Sequence, residues 1–441
     1  MYKTLITIGI STLILSACQN FTATESQPTY ATIPSVSPKY DDQSRQSFDS
    51  RRKQGTTNRY EGLTISTNNL LKKPGNLPQS LFYDSGIDIP YPEDGVKGIY
   101  LPIASITDPS TLDAAISKLD NTALNAVVLD FKDDGGQILP TVQSDNPLIA
   151  ENSVGLIDYK PLLQEFEEKG IYPIARIVTF KDMMLANARP DLSFRDASGD
   201  LWSPDGDYYT NPYLKEVWDY NIAVAIEAAK MGFKDIQFDY VRFSYAFIYE
   251  QDALTFDKGE FANYVKEDPE DMGEENVAAI TQFLAYAREK LAPYGVNVSA
   301  DVFGSVAVAP NDFGSRGIGQ HFYSIAENVD VVSSMIYPSH WSAGSFNIDN
   351  PNGEPYRLID EYMLSETLIL NEVSNPVITR PWLQNFPWEN EFGYTAYNDE
   401  EIQAQIDALS DHGVYEYLLW NVSGDYSQEY VDYAPEKSQE E

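Results

Sequence analysis

Aspartates stand inside three apolar runs of the sequence or directly after them. They are Asp130 in LDFKDDGG, Asp239 in DIQFDYVRF and Asp301 in SADVFG. A charged side chain in an apolar run is costly to bury unless it has a partner or a chemical task. Two carboxylates whose surroundings separate their pKa values can divide a reaction, because one donates a proton while the other stays ionised. Acid–base chemistry is therefore the first activity that these residues suggest.

Cleavage of a glycosidic bond needs this division of labour. One carboxylic acid protonates the leaving oxygen, and a second carboxylate attacks the anomeric carbon, stabilises its positive charge or activates water. The sequence predicts Asp239 as nucleophile or charge stabiliser and Asp301 as general acid. Asp130 is a third candidate, either as an acceptor for a sugar hydroxyl or as the ion-pair partner of Lys132. For each aspartate the alternative is a buried ion pair that ties strands together.

Polar and aromatic side chains near the same strand ends are predicted to bind the substrate. Flat apolar rings beside hydrogen-bonding groups suit the faces and hydroxyls of sugar rings. The predicted substrate-binding residues are Asp130, Lys132, Arg176, Arg242, Tyr337, His340, Trp382, Gln384, Trp420 and Asn421. Two alternatives stay open, because arginines embedded in strands often form structural ion pairs and tryptophans on strands also fill a core.

Eight short, β-branched apolar runs predict the elements that position these residues. Near-continuous apolarity over a few residues is typical of a strand buried on both faces. The predicted strands span residues 96–103, 125–132, 172–180, 235–243, 297–304, 329–338, 377–386 and 416–424. Amphipathic helices between them are predicted over residues 111–119, 159–169, 214–230, 276–291 and 401–410. Long insertions follow strands three and four, at residues 181–212 and 245–275.

The alternation of strands and helices predicts an α/β fold with a parallel sheet, and eight strands is the number that closes a (β/α)8 TIM barrel. An open doubly wound sheet is the alternative. It is disfavoured because no strand-to-helix turn carries a glycine-rich phosphate-binding sequence. Active sites of barrels lie at the C-terminal ends of the strands. We therefore expect Asp130, Asp239 and Asp301 to meet at one end of the barrel.

Four segments together resemble a bacterial family of glycoside hydrolase-like domains that was first catalogued as a domain of unknown function. They are LDFKDDGG (129–136), IARIVTFKD (174–182), DIQFDYVRF (235–243) and SADVFG (299–304). The segments around Trp382 and Trp420 fit the family too, and the likeness covers roughly residues 94–425. The resemblance implies a (β/α)8 barrel related to glycosidases that place acidic residues after strands four and five.

Composition excludes several classes of function. The 441 residues include 30 Lys and Arg against 67 Asp and Glu, a net charge of −37. So negative a surface repels phosphate backbones, which excludes nucleic acid as a partner. Three histidines and one cysteine are too few for zinc fingers, His-rich metal sites or a disulfide framework, and the one cysteine, Cys18, ends the N-terminal apolar run, which argues against a cysteine nucleophile. We predict no metal and no cofactor, and the sequence predicts no particular protein partner.

The N-terminus predicts export. Residues 1–17 contain Lys3 and then an apolar run of 14 residues, which suits a signal peptide and is too short to span a membrane. The run ends in Leu15-Ser16-Ala17-Cys18, which resembles the bacterial lipoprotein cleavage box. That resemblance implies cleavage before Cys18 and lipidation of its sulfur. An ordinary signal peptide with an incidental cysteine is the alternative.

Four regions follow from these patterns. Residues 1–17 are predicted to be a lipoprotein signal peptide, 18–85 a lipid-anchored low-complexity tether that remains disordered, 86–430 a glycoside hydrolase-like barrel and 431–441 an acidic tail. The acidity belongs to the barrel and tail, because residues 86–441 carry a net charge of −40. The prediction is thus an exported lipoprotein, anchored by lipid on the extracytoplasmic face of a membrane.

The predicted function is hydrolysis of a cell-surface or extracellular polysaccharide in the cell envelope. The alternative is a catalytically inactive barrel that binds glycan or scaffolds an envelope assembly. Acidic residues at several adjacent strand ends favour the enzyme.

Overall fold

The computed structural model describes residues 82–435, except for 145, 268–270 and 272. Cys18, the predicted signal peptide and the predicted tether up to residue 81 lie outside the described residues, as does the end of the predicted tail. Residues 431–435 pack against the barrel, where the Tyr417 hydroxyl donates to the Tyr433 carbonyl at 2.7 Å. Within the described range, no helix combines the length and apolarity needed to cross a bilayer.

Eight parallel strands, counted among the described residues, close into a barrel. The first strand pairs with the second on one side and with the eighth on the other, and each neighbouring pair between them is parallel. The strands are β1 (Lys97–Leu101), β2 (Ala126–Lys132), β3 (Tyr172–Val178), β4 (Asp235–Asp239), β5 (Asn297–Phe303), β6 (Val331–Met335), β7 (Trp382–Gln384) and β8 (Tyr417–Trp420). The predicted closed barrel is confirmed, and the open doubly wound alternative is wrong.

Helices cover the outside of the barrel, which is why β2 and β3 are buried at every position. Of the described residues, six longer segments are helical: α1 (Pro109–Asn121), α2 (Tyr159–Lys169), α3 (Lys215–Met231), α4 (Glu274–Leu291), α5 (Pro355–Leu370) and α6 (Asp399–Asp411). All five predicted helices are present, as α1 to α4 and α6. Asp108 caps α1 by accepting the Thr111 backbone N–H at 2.9 Å, and Gly170, with a φ of 70°, ends α2.

Helix α5 was not predicted. Its amphipathic pattern is hidden because its buried face includes the polar residues Ser365, Glu366 and Thr367. Glu366 accepts hydrogen bonds from the hydroxyls of Ser334 on β6 and Tyr362 on its own helix, at 2.8 and 2.5 Å. A buried carboxylate with several donors replaces apolar contacts here, so apolar spacing alone does not reveal the helix.

The predicted strand over residues 377–386 forms in two pieces. Ile378–Thr379 pairs with the start of β6, and β7 begins only after Pro381. Proline has no N–H to donate to a strand ladder, so the pairing is interrupted there. Beyond β7 the chain makes an antiparallel hairpin of Trp388–Asn390 and Gly393–Thr395, which the sequence patterns did not predict.

The two predicted insertions pack against each other through aromatic rings. From the first insertion, the Phe194 ring lies 4.9 Å from that of Phe247 and 5.2 Å from that of Phe256, both in the second. The Trp202 indole donates to the Glu250 carboxylate at 2.7 Å, which ties the same two segments together. Both insertions follow the C-terminal ends of their strands, so they build up one side of that end of the barrel.

Candidate active site

A cavity of about 440 Å³ opens at the C-terminal ends of the strands. Asp239 ends β4 and Asp301 lies on β5, and both side chains line it. Strands β3 and β5 to β8 and the segments that follow β2, β4, β5 and β6 supply the rest of its wall: Asp134, Arg176, Tyr240, Arg242, Phe303, Gly304, Ser305, Met335, Tyr337, His340, Trp341, Trp382 and Trp420. The expectation that the strand-end candidates converge thus holds for most of them.

Arg176 on β3 is the centre of a buried charge cluster. Its Nε and Nη2 contact Asp239 Oδ2 at 2.9 and 2.7 Å, and its Nη1 contacts Asp130 Oδ1 at 2.7 Å. Asp134 adds a longer contact to Nη1 at 3.2 Å. Burial lowers the pKa of Arg176, but the carboxylates of Asp239 and Asp130 outweigh burial and hold it well above its usual range. The guanidinium nitrogens are all bound to carboxylates, so Arg176 positions acidic groups at the cavity wall.

Asp130 lies behind the cavity wall. Its carboxylate accepts the Tyr100 hydroxyl at 2.6 Å in addition to the Arg176 contact, and its backbone carbonyl accepts the Tyr159 hydroxyl at 2.5 Å. Burial raises its pKa, and the charge of Arg176 opposes that rise. Asp130 therefore holds Arg176 in place through an ion pair on the side away from the cavity. The ion pair with Lys132 that the sequence suggested does not form.

Lys132 points away from the cavity. Its ammonium group contacts Asp182 Oδ2 at 2.6 Å and Asn221 Oδ1 on α3 at 2.8 Å, and the side chain is fully buried. Strict alternation would place residues 130 and 132 on one face of β2, but the pairing register with β3 shifts between them. A local irregularity of this kind re-aims a side chain. The prediction that Lys132 contacts substrate is not supported by this placement.

Asp239 carries a charge that is paired on one oxygen and hydrogen-bonded on the other. Oδ2 contacts Arg176, and Oδ1 accepts the backbone N–H of Tyr240 at 2.6 Å. Tyr240 has a φ of 47°, in the left-handed region that bulky side chains rarely adopt. Such strain persists where the surroundings enforce it and is concentrated at functional sites. The geometry keeps Asp239 in a fixed orientation with its charge balanced.

Asp301 has the opposite environment. Its side chain is almost fully buried, and the Trp382 indole N–H donates to its Oδ1 at 2.9 Å. Burial raises the pKa of Asp301 well above its usual range, and the charge of Asp239 raises it further. Burial and the charge of Asp239 thus favour the protonated form of Asp301, while Arg176 pairs with the carboxylate of Asp239.

Aromatic rings form much of the cavity wall. Trp382 and Trp420 are perpendicular with ring centres 5.4 Å apart, and Trp420 stacks on Tyr100 at 4.2 Å. Tyr337 packs at 5.3 Å from the ring of His340, and both residues line the cavity. The wall offers flat faces beside carboxylates, which is the surface that a sugar ring requires.

Arg242 lies on the wall between two rings. Its guanidinium carbon is 4.7 Å from the ring centres of both Tyr240 and Phe303, and Lys181 approaches the Tyr240 ring at 5.1 Å. Cation–π contacts of this kind orient the guanidinium. Arg242 lines the cavity, and Phe243 O accepts one of its N–H groups at 3.2 Å.

Gln384 and Asn421 do not line the cavity. Gln384 Oε1 accepts the Ser339 backbone N–H at 3.0 Å and so holds the turn that carries His340. Asn421 Nδ2 donates to the carbonyls of Asn385 and Asp425 at 2.7 and 2.8 Å. Both predicted substrate contacts are instead used inside the protein, because loop carbonyls and N–H groups beyond β6, β7 and β8 need partners.

Several cavity residues were not among the predicted ones. Asp134 is half-exposed and is placed by the turn after β2, where Asp133 Oδ1 accepts the N–H groups of Gly135 and Gln137 at 2.9 and 2.8 Å. A Cβ on Gly304 would lie 2.8 Å from a backbone oxygen and 3.1 Å from Trp341, so only glycine allows the wall to close there. Such proximity has no signal in a single sequence.

The arrangement can carry out acid–base catalysis with its own side chains. A carboxyl group whose pKa is raised by burial and a carboxylate that is paired with an arginine share one cavity, which is the contrast that glycosidic cleavage uses. Among the described residues, no three His, Cys, Asp or Glu side chains are grouped so as to hold a metal ion.

The fold and the cavity define a glycosidase-like (β/α)8 barrel. Residues 98–426 match the family described as "Putative glycosyl hydrolase domain". The match spans most of the chain, so the chain belongs to this family, and the resemblance seen in the sequence is confirmed. No curated protein shows significant similarity to the chain.

Three solved structures are similar to the chain. The PgaB (BpsB) glycoside hydrolase domain from Bordetella bronchiseptica has 14% identity and a TM-score of 0.51, over 75% of this chain and 95% of that one. A hypothetical protein from Ruminiclostridium thermocellum has 32% identity and a TM-score of 0.39, over 46% of this chain and 97% of that one. A β-galactosidase from Bacillus circulans sp. alkalophilus has 12% identity and a TM-score of 0.48, over 75% and 51%. The first likeness supports the fold.

Proposed function

We propose that the protein is a glycoside hydrolase in which Asp301 is the general acid and Asp239 the nucleophile or charge stabiliser. One observation carries this proposal: two carboxylates of one cavity have opposite environments. Burial raises the pKa of Asp301 well above its usual range, whereas Asp239 is paired with Arg176 at 2.7 Å. In the reaction, Asp301 donates its proton to the glycosidic oxygen. Asp239 meets the positive charge that develops at the anomeric carbon.

The substrate that we propose is a cell-surface or extracellular polysaccharide. Trp382, Trp420 and Tyr337 present aromatic surface beside the two carboxylates, and sugar rings pack on such faces. Arg242, held between two rings, supplies N–H donors for hydroxyl or anionic groups of the sugar.

We further propose that the enzyme is exported and anchored by lipid at Cys18. The support is the sequence Leu15-Ser16-Ala17-Cys18 after an apolar run of 14 residues. Metabolic labelling with a fatty-acid analogue should tag the wild-type chain, and Cys18→Ala should lose both the label and membrane retention. Membrane retention of the mutant together with an unlabelled wild type would exclude the anchor.

Leaving-group dependence tests the two catalytic roles. Aryl glycosides with good leaving groups need little protonation, so Asp301→Asn should keep much of its first-step rate on them and lose it on natural linkages. Asp239→Asn should be slow on both kinds of substrate. Asp113→Asn, on the exposed outer side of α1, is the matched control and should behave as wild type.

If Asp301→Asn is equally slow on every leaving group, the acid role is wrong. If neither aspartate affects cleavage, the barrel's activity lies elsewhere, and binding without turnover would favour a glycan-binding scaffold.

A further inference from the structure

The hairpin beyond β7 carries exposed aromatic side chains. Trp388, Phe392 and Tyr394 are 42%, 54% and 66% exposed. Large apolar side chains that gather at one exposed element mark a binding surface more often than isolated ones do.

Trp388 is continuous with the cavity wall. The centre of the Trp388 ring lies 5.8 Å from that of the His340 ring and 6.4 Å from that of the Phe386 ring. His340 lines the cavity and in turn packs on Tyr337, whose buried ring lies near the two catalytic aspartates. A row of rings therefore leads from the reacting groups to the outer edge of the site.

Tyr394 belongs to the other face of the same hairpin. Trp388 pairs with Thr395, and Tyr394 pairs with Glu389. Directly opposed residues of an antiparallel pair share a face, and successive residues alternate. Trp388 and Tyr394 are therefore on opposite faces, although both are exposed aromatic residues of one short element.

The hairpin is held in place by side-chain hydrogen bonds. Asn390 Nδ2 donates to Asn350 Oδ1 at 3.2 Å, and Asn352 Nδ2 donates to the Thr395 hydroxyl at 3.0 Å. The Tyr397 hydroxyl donates to the Asn352 carbonyl at 3.2 Å just after the second strand. A ring that is fixed before binding loses little conformational entropy when a ligand packs on it.

We propose that the Trp388 face is a further sugar-binding subsite, which holds units of the polysaccharide that extend beyond the cavity. This inference rests on the proposed function, because the occupant is the same glycan chain whose bond is cleaved between Asp239 and Asp301. Its support is the continuity of the ring row with the cavity and the fixed position of the hairpin. The subsite makes the protein prefer long chains to short ones.

Affinity electrophoresis in native gels tests this subsite directly. The full chain with Asp301→Asn is run through separate gels containing dextran, mixed-linkage β-glucan, galactomannan or bacterial exopolysaccharide, so that slow turnover preserves the ligand. Adding Trp388→Ala should reduce the retardation and raise the dissociation constant derived from it about tenfold, which is the size of one aromatic contact. Adding Trp388→Phe should restore part of the loss, and Tyr394→Ala should stay within about twofold of the Asp301→Asn parent.

The outcomes separate this inference from the proposed function. Equal retardation of the Trp388→Ala and Tyr394→Ala chains would overturn the subsite, as would the absence of retardation by every polysaccharide. Cleavage of a short aryl glycoside by the wild-type chain reports on the proposed function alone, because such a substrate is too small to reach the hairpin. The melting temperature of the chain with Trp388→Ala should match that of its Asp301→Asn parent. A loss of binding is then not caused by a loss of folding.

Discussion

Two arginine clusters lie at opposite ends of the same barrel and are built from the same parts. At the C-terminal end, Arg176 binds Asp239 and Asp130. At the N-terminal end, Arg380 binds Asp235 and Glu416 at 3.0 and 3.1 Å. A tyrosine hydroxyl donates to one carboxylate of each cluster: Tyr100 to Asp130 and Tyr91 to Glu416. Strand β4 contributes to both clusters, because Asp235 begins it and Asp239 ends it.

The clusters differ in what surrounds them. Asp235 and Arg380 are fully buried, and the Ser299 hydroxyl donates to Asp235 at 2.5 Å. A second cavity, of about 590 Å³, lies at this end and reaches Glu416 but neither of those two residues. At the other end, Asp239 lines the cavity together with Asp301, a carboxyl group without an arginine contact among the described residues. The C-terminal cluster differs in that it faces a cavity and lies beside a second carboxyl group, and cavity size alone does not identify the site.

The largest expected difference comes from one change at each end of β4. Asp239→Asn should lower kcat/KM on a confirmed substrate by roughly 10⁴-fold or more, because it removes the charge that meets the transition state. Asp235→Asn, the matched variant four residues earlier, should change kcat/KM by less than about threefold at a temperature where it is folded. A comparable loss of turnover in Asp235→Asn would show that the two ends are not functionally distinct.

The free energy of unfolding should show the reverse order, with a larger loss in Asp235→Asn than in Asp239→Asn. Asp235→Asn leaves the fully buried Arg380 with one carboxylate fewer, and breaking a buried pair costs about 3–5 kcal/mol in the free energy of unfolding. Denaturant unfolding of the same variants measures this. Asp239→Asn should cost less, because Asp130 and Asp134 still contact Arg176 and the site opens to solvent. An Asp235→Asn chain as stable as wild type would remove the structural role that we assign to the Arg380 cluster.

The pH dependence of catalysis should report on Asp301. A general acid works in its protonated form, so kcat/KM should fall about tenfold per pH unit as pH rises above the raised pKa of Asp301. Stability changes in the adjacent window below that raised pKa, and its sign is fixed. The folded protein binds this proton more tightly than the unfolded chain does, so the contribution of Asp301 to stability falls as pH rises from its unfolded pKa to its folded pKa. Asp301→Asn should abolish both dependences, and a basic limb that persists in this variant assigns the limb to another group.

Much of this architecture follows from local sequence, and the exceptions have physical causes. Near-continuous apolar runs predict all eight barrel strands, and the shared C-terminal end of parallel strands predicts that Asp239 and Asp301 meet. Lys132 was misplaced because a register shift in β2 turns its side chain outward, and no residue type marks that shift. Helix α5 was missed because Glu366 and its polar neighbours occupy the buried face.

Long-range contacts account for the rest. Tyr100 reaches Asp130 across 30 residues of sequence, and Arg176 reaches Asp239 across 63. Gln384 and Asn421 were predicted to bind substrate from their position alone, whereas loop backbone groups take their hydrogen bonds. Sequence reasoning locates which strand end a residue occupies, but the partner that claims its polar atoms is decided by tertiary packing.

The smallest expected effect compares the two tyrosines. Tyr100→Phe and Tyr91→Phe each remove one hydroxyl that donates to a carboxylate, at 2.6 and 2.5 Å, and leave the ring in place. A hydrogen bond to a charged group contributes about 1.5–3 kcal/mol, so each variant should lose about that much unfolding free energy. Only Tyr100→Phe should also slow turnover, by roughly tenfold, because Asp130 then holds Arg176, and through it Asp239, less firmly. Arg176 connects the first tyrosine to the carboxylate that we propose to be catalytic, whereas Arg380 connects the second to Asp235 and Glu416, to which we assign a structural role. Equal kinetic effects of the two variants would therefore contradict the division between a catalytic and a structural cluster.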